Sequence, residues 1–195
     1  MPSPWASPVE QSSQLGGTLS TAGVDFPGLF HAWGKQIIGG IGWELVTEAV
    51  SLNDDILPDF IIPFGKNHPK HQVRINGYLY ALLAEEKCLE SGVQLRYYET
   101  PVDVQFKGNK WEVQTIGKGT QTRIISDQLV DCTGNASLTA LAGFNVLRDK
   151  ESQPGSLMLR IGGYDLNSLD MEMIRKRYDE EVKKGTLVKE DFRNN

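Results

Sequence analysis

The residues of this chain with chemical potential lie where short apolar runs meet glycine turns. The clearest stretch is Gln128-Leu129-Val130-Asp131-Cys132-Thr133-Gly134-Asn135-Ala136, followed by an Ala/Leu-rich segment over residues 137–143. The order reads as strand, tight turn and helix, with Asn135 or Ser137 as the cap. Free backbone N–H groups at such a junction suit a phosphate or a ribose. The plain alternative is that any α/β connection needs a glycine there. A second candidate is Glu10, a carboxylate followed by a polar turn and Leu15-Gly16-Gly17-Thr18. An acidic residue at a strand end is what accepts ribose hydroxyls in dinucleotide-binding folds. Prolines at positions 2, 4 and 8 leave little strand before Glu10, and a solvated surface acid is its plain reading.

Other chemistries find less support. His31, His68 and His71 are the only histidines, and the latter two flank Pro69 rather than ride a helix face, so no metal box is expected. Cys88 and Cys132 belong to no C-x-x-C or Cys/His cluster, which argues against a disulfide scaffold or zinc site. With 25 acidic against 20 basic residues and no basic block, the chain offers no surface that would track nucleic-acid phosphates. No apolar run reaches a membrane-spanning length, and residues 1–8 lack the basic and apolar regions of a signal peptide. A soluble chain with a disordered or non-native start is expected, cytoplasmic by default, and the sequence names no compartment.

The elements that must position these residues follow in order. A small-residue loop runs from Leu19 to Gly28, with Thr21-Ala22-Gly23 suited to close approach to a flat ligand or another backbone. Residues 34–50 carry Ile37, Ile38, Ile41, Leu45, Val46 and Ala49 at helical spacing, which predicts a helix. A rival reading makes 36–38 a strand and Gly40-x-Gly42 a phosphate loop, but Leu45 occupies the third glycine position. Asn76 caps a helix over 77–92 with Leu79, Leu82, Leu83 and Leu89 as its buried stripe. Residues 93–100 read as a strand, and 102–106, 111–116 and 121–125 alternate as a three-stranded meander with turns at 107–109 and 117–120. A strand over 153–163 and a helix from Asn167 or Ser168 to Lys184 close the chain, the latter with Leu169, Met173, Tyr178 and Val182 as core contacts.

Taken in series, the motifs resemble the FAD-dependent oxidoreductases of the glutathione-reductase-like class. The matching stretches are Glu10-Gln11, Leu15-Gly16-Gly17, Thr21-Ala22-Gly23, residues 34–41, Gly92-Val93 to Val104, Asp131 to Ala136, and 153–163. The resemblance implies an α/β fold: a partial Rossmann-like FAD-binding domain over 9–143, with the meander, and the start of an α+β substrate or cap region over 144–195. It implies FAD as cofactor, with Glu10 on the adenosine ribose and the Val102 backbone at the adenine. Gly16, Gly17 and Thr18 would line the pyrophosphate or flavin side, Thr21, Ala22 and Gly23 would pass near the isoalloxazine, and Thr133 and Gly134 would line the cofactor from the strand end. His31 and Lys35 are the candidate proton-transfer groups beside this series.

The chain departs from the family pattern in three ways. No G-x-G-x-x-G loop precedes Glu10, the family's C-terminal portion has no counterpart, and Cys132 and Asn135 stand where alanine and aspartate are usual. Two expectations follow: a segment of a flavin-dependent oxidoreductase acting on a small organic substrate over the meander side, or a non-catalytic remnant serving as an interaction module. An incomplete sheet also predicts self-association through an exposed edge.

Overall fold

Alternating apolar residues build the largest sheet. In the computed structural model, which describes residues 5–61, 68–151, 155, 157–159 and 161–189 apart from the side chains of 68, 69 and 166, strands β5 (Thr100–Lys107), β6 (Lys110–Gly117) and β7 (Thr120–Ser126) form an antiparallel meander in that order. Its two tight turns have positive φ at both central residues, 55° and 68° at Gly108 and Asn109, and 49° and 75° at Lys118 and Gly119. These are the primed turns whose twist matches that of paired strands. One face of the meander is buried through Val104 and Val113 under Leu138, with Trp111, Ile124, Leu129 and Ala142 around them.

A second, parallel pair joins β1 (Val9–Glu10) to β4 (Arg96–Tyr97) in the register Val9 with Arg96 and Glu10 with Tyr97. Parallel strands need a long crossover. Here the intervening chain carries helices α1 (Ile41–Leu52) and α2 (Gly77–Glu90). They pack on one another around Phe30, Leu45, Val46, Ala49, Val50, Val73, Ile75 and Leu83. Asn76 caps α2 as expected, its side chain accepting from the Tyr78 amide at 3.1 Å. Ahead of β1, the Ala6 and Pro8 carbonyls accept from the Gln94 and Arg96 amides at 3.2 and 3.1 Å, and the Trp5 indole donates to the Ser91 carbonyl at 2.7 Å.

Several elements differ from expectation. Residues 34–40 are not helical: β2 (His31–Ala32) and β3 (Lys35–Gln36) form a hairpin whose turn residues Trp33 and Gly34 have φ of 52° and 70°. The helix waits for Gly40, so Ile37, Ile38 and Ile41 are exposed while Leu45, Val46, Ala49 and Val50 carry the buried stripe. In α2 the packed face is Gly77, Ala81 and Leu83, and Leu82 and Leu89 point outward, each 61% exposed. The helix packs through its small residues, which hydrophobicity alone does not flag. The strand expected over 93–100 shrinks to β4, whose only partner among the described residues is the two-residue β1. Residues 128–132 carry no ladder, because no described strand lies beside them. The expected strand over 153–163 falls partly outside the described residues, and its described positions have no strand structure.

The architecture is therefore mixed α/β, with small sheets and the meander as the largest. The chain divides into two units, 1–156 and 157–195. The second holds helix α4 (Met171–Lys184), capped by the Asp170 carboxylate on the Met173 amide at 2.9 Å and ended by Gly185 at φ 75°. None of α4's side chains is buried, so the expected core stripe is absent: Leu169 and Met173 are exposed, and Tyr178 instead donates to the Val188 and Lys189 carbonyls at 3.0 and 2.8 Å. An amphipathic helix buries its stripe only against a second layer, and the described residues of this unit supply none. Among the described residues no helix is long and apolar enough to cross a membrane.

Candidate functional site

Glu10 closes β1 at its C-terminal end, half-buried, with Oε1 accepting from the Ser12 amide at 2.7 Å. Its second carboxylate oxygen has no partner among the described residues. The turn beyond it is stitched to the connection between β4 and β5: the Glu10 carbonyl accepts from the Glu99 amide at 3.1 Å and the Ser12 carbonyl from the Tyr98 amide at 3.2 Å.

The glycine pair that follows makes a tight reversal, with φ of 105° at Gly16 and 48° at Gly17. The Gly17 carbonyl accepts from the Thr21 and Ala22 amides at 2.8 and 3.2 Å, and the Thr18 carbonyl from the Val24 amide at 3.0 Å. Thr21 also donates its hydroxyl to Ser12 at 3.3 Å, which ties residues 16–23 back to the Glu10 turn. At Gly16 the positive φ favours glycine, and a Cβ there would also crowd the buried Ser20 hydroxyl at 2.7 Å. A Cβ at Gly17 would meet nothing within 4 Å, so there is open space beside this residue.

Val102 sits where the meander's register slips. Pro101 opposes Thr115 and Asp103 opposes Gln114, which leaves Val102 as the extra residue of a bulge without a cross-strand partner.

Thr133 and Gly134 occupy a turn held by Asp131. One Asp131 oxygen accepts from the Thr133 amide and hydroxyl at 2.9 and 2.7 Å, and the other accepts from the Thr139 amide and hydroxyl at 2.8 and 2.6 Å. These bonds, those from Thr133 foremost, hold the Asp131 carboxyl well below the usual carboxylate range. Ala136 adopts the left-handed conformation at φ 58° and opens helix α3 (Ser137–Leu141), whose Leu138 lies on Val104 of β5. Both groups of expected residues thus hang on β5: β1 lies against its start and α3 against its buried face.

His31 and Lys35 do not join them. The His31 ring stacks on Phe60 at 3.7 Å and meets the edge of Trp43 at 5.2 Å, and burial first, then the nearby His71, lowers its pKa. Lys35 is exposed on the β2–β3 hairpin. An open cleft of about 530 Å³ lies elsewhere, at the far end of the meander, lined by Phe106, Trp111, Asp127, Gln128 and Phe144 among others, and contains none of the expected residues.

Asp131 is a latch with a sequence signal of its own: Asp-x-Thr with a further Thr eight residues on is the pattern of an Asx turn closed onto a helix. Glu99, which carries no local sequence signal, is braced by Arg96 through two bonds of 3.0 and 2.8 Å and by the buried Thr115 at 2.7 Å.

The family model for FAD dependent oxidoreductases matches residues 9–194. The chain belongs to the FAD dependent oxidoreductase family. FAD is the cofactor of this family, and the small sheets and meander are those of a partial FAD-binding, Rossmann-like domain. No curated protein and no solved structure matches the chain. The described residues suit parts of FAD: a carboxylate oxygen at a parallel strand end and a glycine at Gly17 with open space beside it are the groups that a ribose and a diphosphate require.

Proposed function

We propose that the chain carries the adenosine-binding side of a flavin-dependent oxidoreductase of the glutathione-reductase-like class, acting on a small organic substrate. Residues 9–143 form the partial FAD-binding domain and 144–195 begin the substrate or cap region. Glu10 takes the adenosine ribose hydroxyls through its available oxygen, and the Val102 peptide reads the adenine edge. Gly16, Gly17 and Thr18 follow the diphosphate, Thr21 to Gly23 approach the flavin, and Thr133 and Gly134 close from the far side. FAD, when bound, supplies the two-electron redox chemistry.

This chain's residues bind and orient. A carboxylate accepting from both vicinal hydroxyls fixes the ribose rotation, while glycine peptides approach the anion without a side chain between. The observation that carries it is the half-buried Glu10 at the end of a parallel strand, with the Val102 bulge on the neighbouring β5.

Ligand competition tests the assignment. Bound FAD should be displaced by ADP-ribose or AMP, which share the adenosine end, and not by FMN, which lacks it. Displacement by FMN alone would overturn the placement of Glu10 and Val102.

A further inference from the structure

The ion pair of Arg96 and Glu99 sits where the parallel pair meets the meander. Its side chains are only 20% and 14% exposed, and the geometry is bidentate: Arg96 Nε donates to Glu99 Oε2 at 3.0 Å, and its Nη2 lies 2.8 Å from Oε1. Each partner carries one further bond, and both bonds reach the same rung of the meander. Thr115 donates its hydroxyl to Glu99 Oε2 at 2.7 Å, and Arg96 Nη2 donates to the Thr122 hydroxyl at 3.0 Å. Thr115 opposes Thr122 on one side and Pro101 on the other, so that rung ends at the residue directly before the Val102 bulge. The pair is also seated on β1. Arg96 is the ladder partner of Val9, and the Glu99 amide donates to the Glu10 carbonyl at 3.1 Å.

We propose that Arg96 and Glu99 are positioning residues of the adenosine site, fixing the Val102 bulge against Glu10 so that adenine and ribose are engaged together; this rests on the assignment of Glu10 and Val102 given above. Those two residues belong to different sheets, and no ladder joins β1 to β5. Their spacing is therefore set by the short connection through Tyr98 and Glu99 and by the ion pair that bolts it to both sides. An enclosed ion pair adds little net stability over an apolar replacement, and holding a register is its best-attested use. Neither side chain touches the nucleotide. Losing the pair should uncouple adenine from ribose rather than abolish binding.

Calorimetric titration with AMP and with ribose 5-phosphate tests this, because the two ligands share ribose and phosphate and differ in the base. The parent chain should bind AMP at least about tenfold more tightly. Arg96→Met combined with Glu99→Gln leaves no unpaired charge and keeps an acceptor for Thr115. It should bring the two affinities within about threefold by weakening AMP alone, with ribose 5-phosphate bound as before. Thr122→Val, which removes a single bond on the outer strand, should move the ratio the same way by a smaller factor, and it carries the test if the double variant does not fold. Circular dichroism of each variant used should match the parent. An unchanged ratio in the folded variants, or equal weakening of both ligands, would overturn the proposal and leave Glu10 and Val102 in place. A parent that binds both ligands alike, or neither, would overturn the adenosine assignment and this proposal with it.

Discussion

Asp131 and Thr139 are joined by two hydrogen bonds from the same residue to the same oxygen, amide at 2.8 Å and hydroxyl at 2.6 Å. With the other oxygen committed to Thr133, a single carboxylate sets both the turn at Thr133 and Gly134 and its angle to α3. Asp131→Ala should therefore lower the melting temperature and weaken FAD binding together, whereas Thr139→Ser, which keeps both donors, should spare them.

The same latch gives a pH dependence. The carboxyl is depressed by hydrogen bonds in the folded chain, so its contribution is complete above the unfolded pKa of about 4 and declines as pH falls through the folded value. Melting temperature should stay level from about pH 8 to 5 on this account and drop below about pH 4. Asp131→Asn should flatten the part of that acid limb due to this group.

Glu99 braces the junction between the parallel pair and the meander. Burial alone would raise its pKa, and the hydrogen bonds from Thr115 and Arg96 outweigh that and hold it low. Thr115 is only 1% exposed, so Thr115→Val leaves Glu99 short of one buried donor at a cost of about 1–2 kcal/mol. Urea denaturation should show the loss as a lower midpoint with an unchanged slope.

Gly77 opens α2 directly against the Leu19 carbonyl, where a Cβ would fall inside van der Waals contact with backbone. Gly77→Ala should cost about 1–3 kcal/mol and displace the Leu19–Ser20 backbone next to Gly16 to Thr18. Amide exchange at Leu19 and Ser20 should quicken in that variant, with FAD affinity falling alongside.

Much of this was legible in the sequence. The meander announced itself because Val104, Phe106, Trp111, Val113 and Ile124 alternate on one face and the turns between them require positive φ. Asn76 declared the start of α2 because a capping side chain is a local signal. What stayed hidden depends on partners distant in sequence. Ile37 and Ile38 match helical spacing, yet the Trp33-Gly34 turn folds them into a hairpin exit where both amides bond the Phe30 carbonyl. Residues 128–132 have a strand's composition, but a strand exists only with a ladder beside it. At the candidate site, Glu10 and the glycines were expected from their types, while the bulge at Val102 and the two-sided latch of Asp131 depend on strand register and on Thr139 eight residues away.

Glu10→Ala removes the one charged acceptor assigned to the ribose. A hydrogen bond to a charged group is worth about 1.5–3 kcal/mol, so the FAD dissociation constant should rise by about 10- to 100-fold. Glu10→Gln, which retains an acceptor oxygen, should fall between the two, with the melting temperature of the unliganded chain little changed.

The most direct test of the account is a titration of the purified chain into FAD, read by flavin fluorescence. Saturable quenching at one FAD per chain, shifted to higher concentration by Glu10→Ala and unaffected by Lys35→Ala, is the predicted result. No saturable change with the folded chain, or binding that Glu10→Ala leaves untouched, would contradict the assignment of residues 9–143 as an FAD-binding domain built around Glu10.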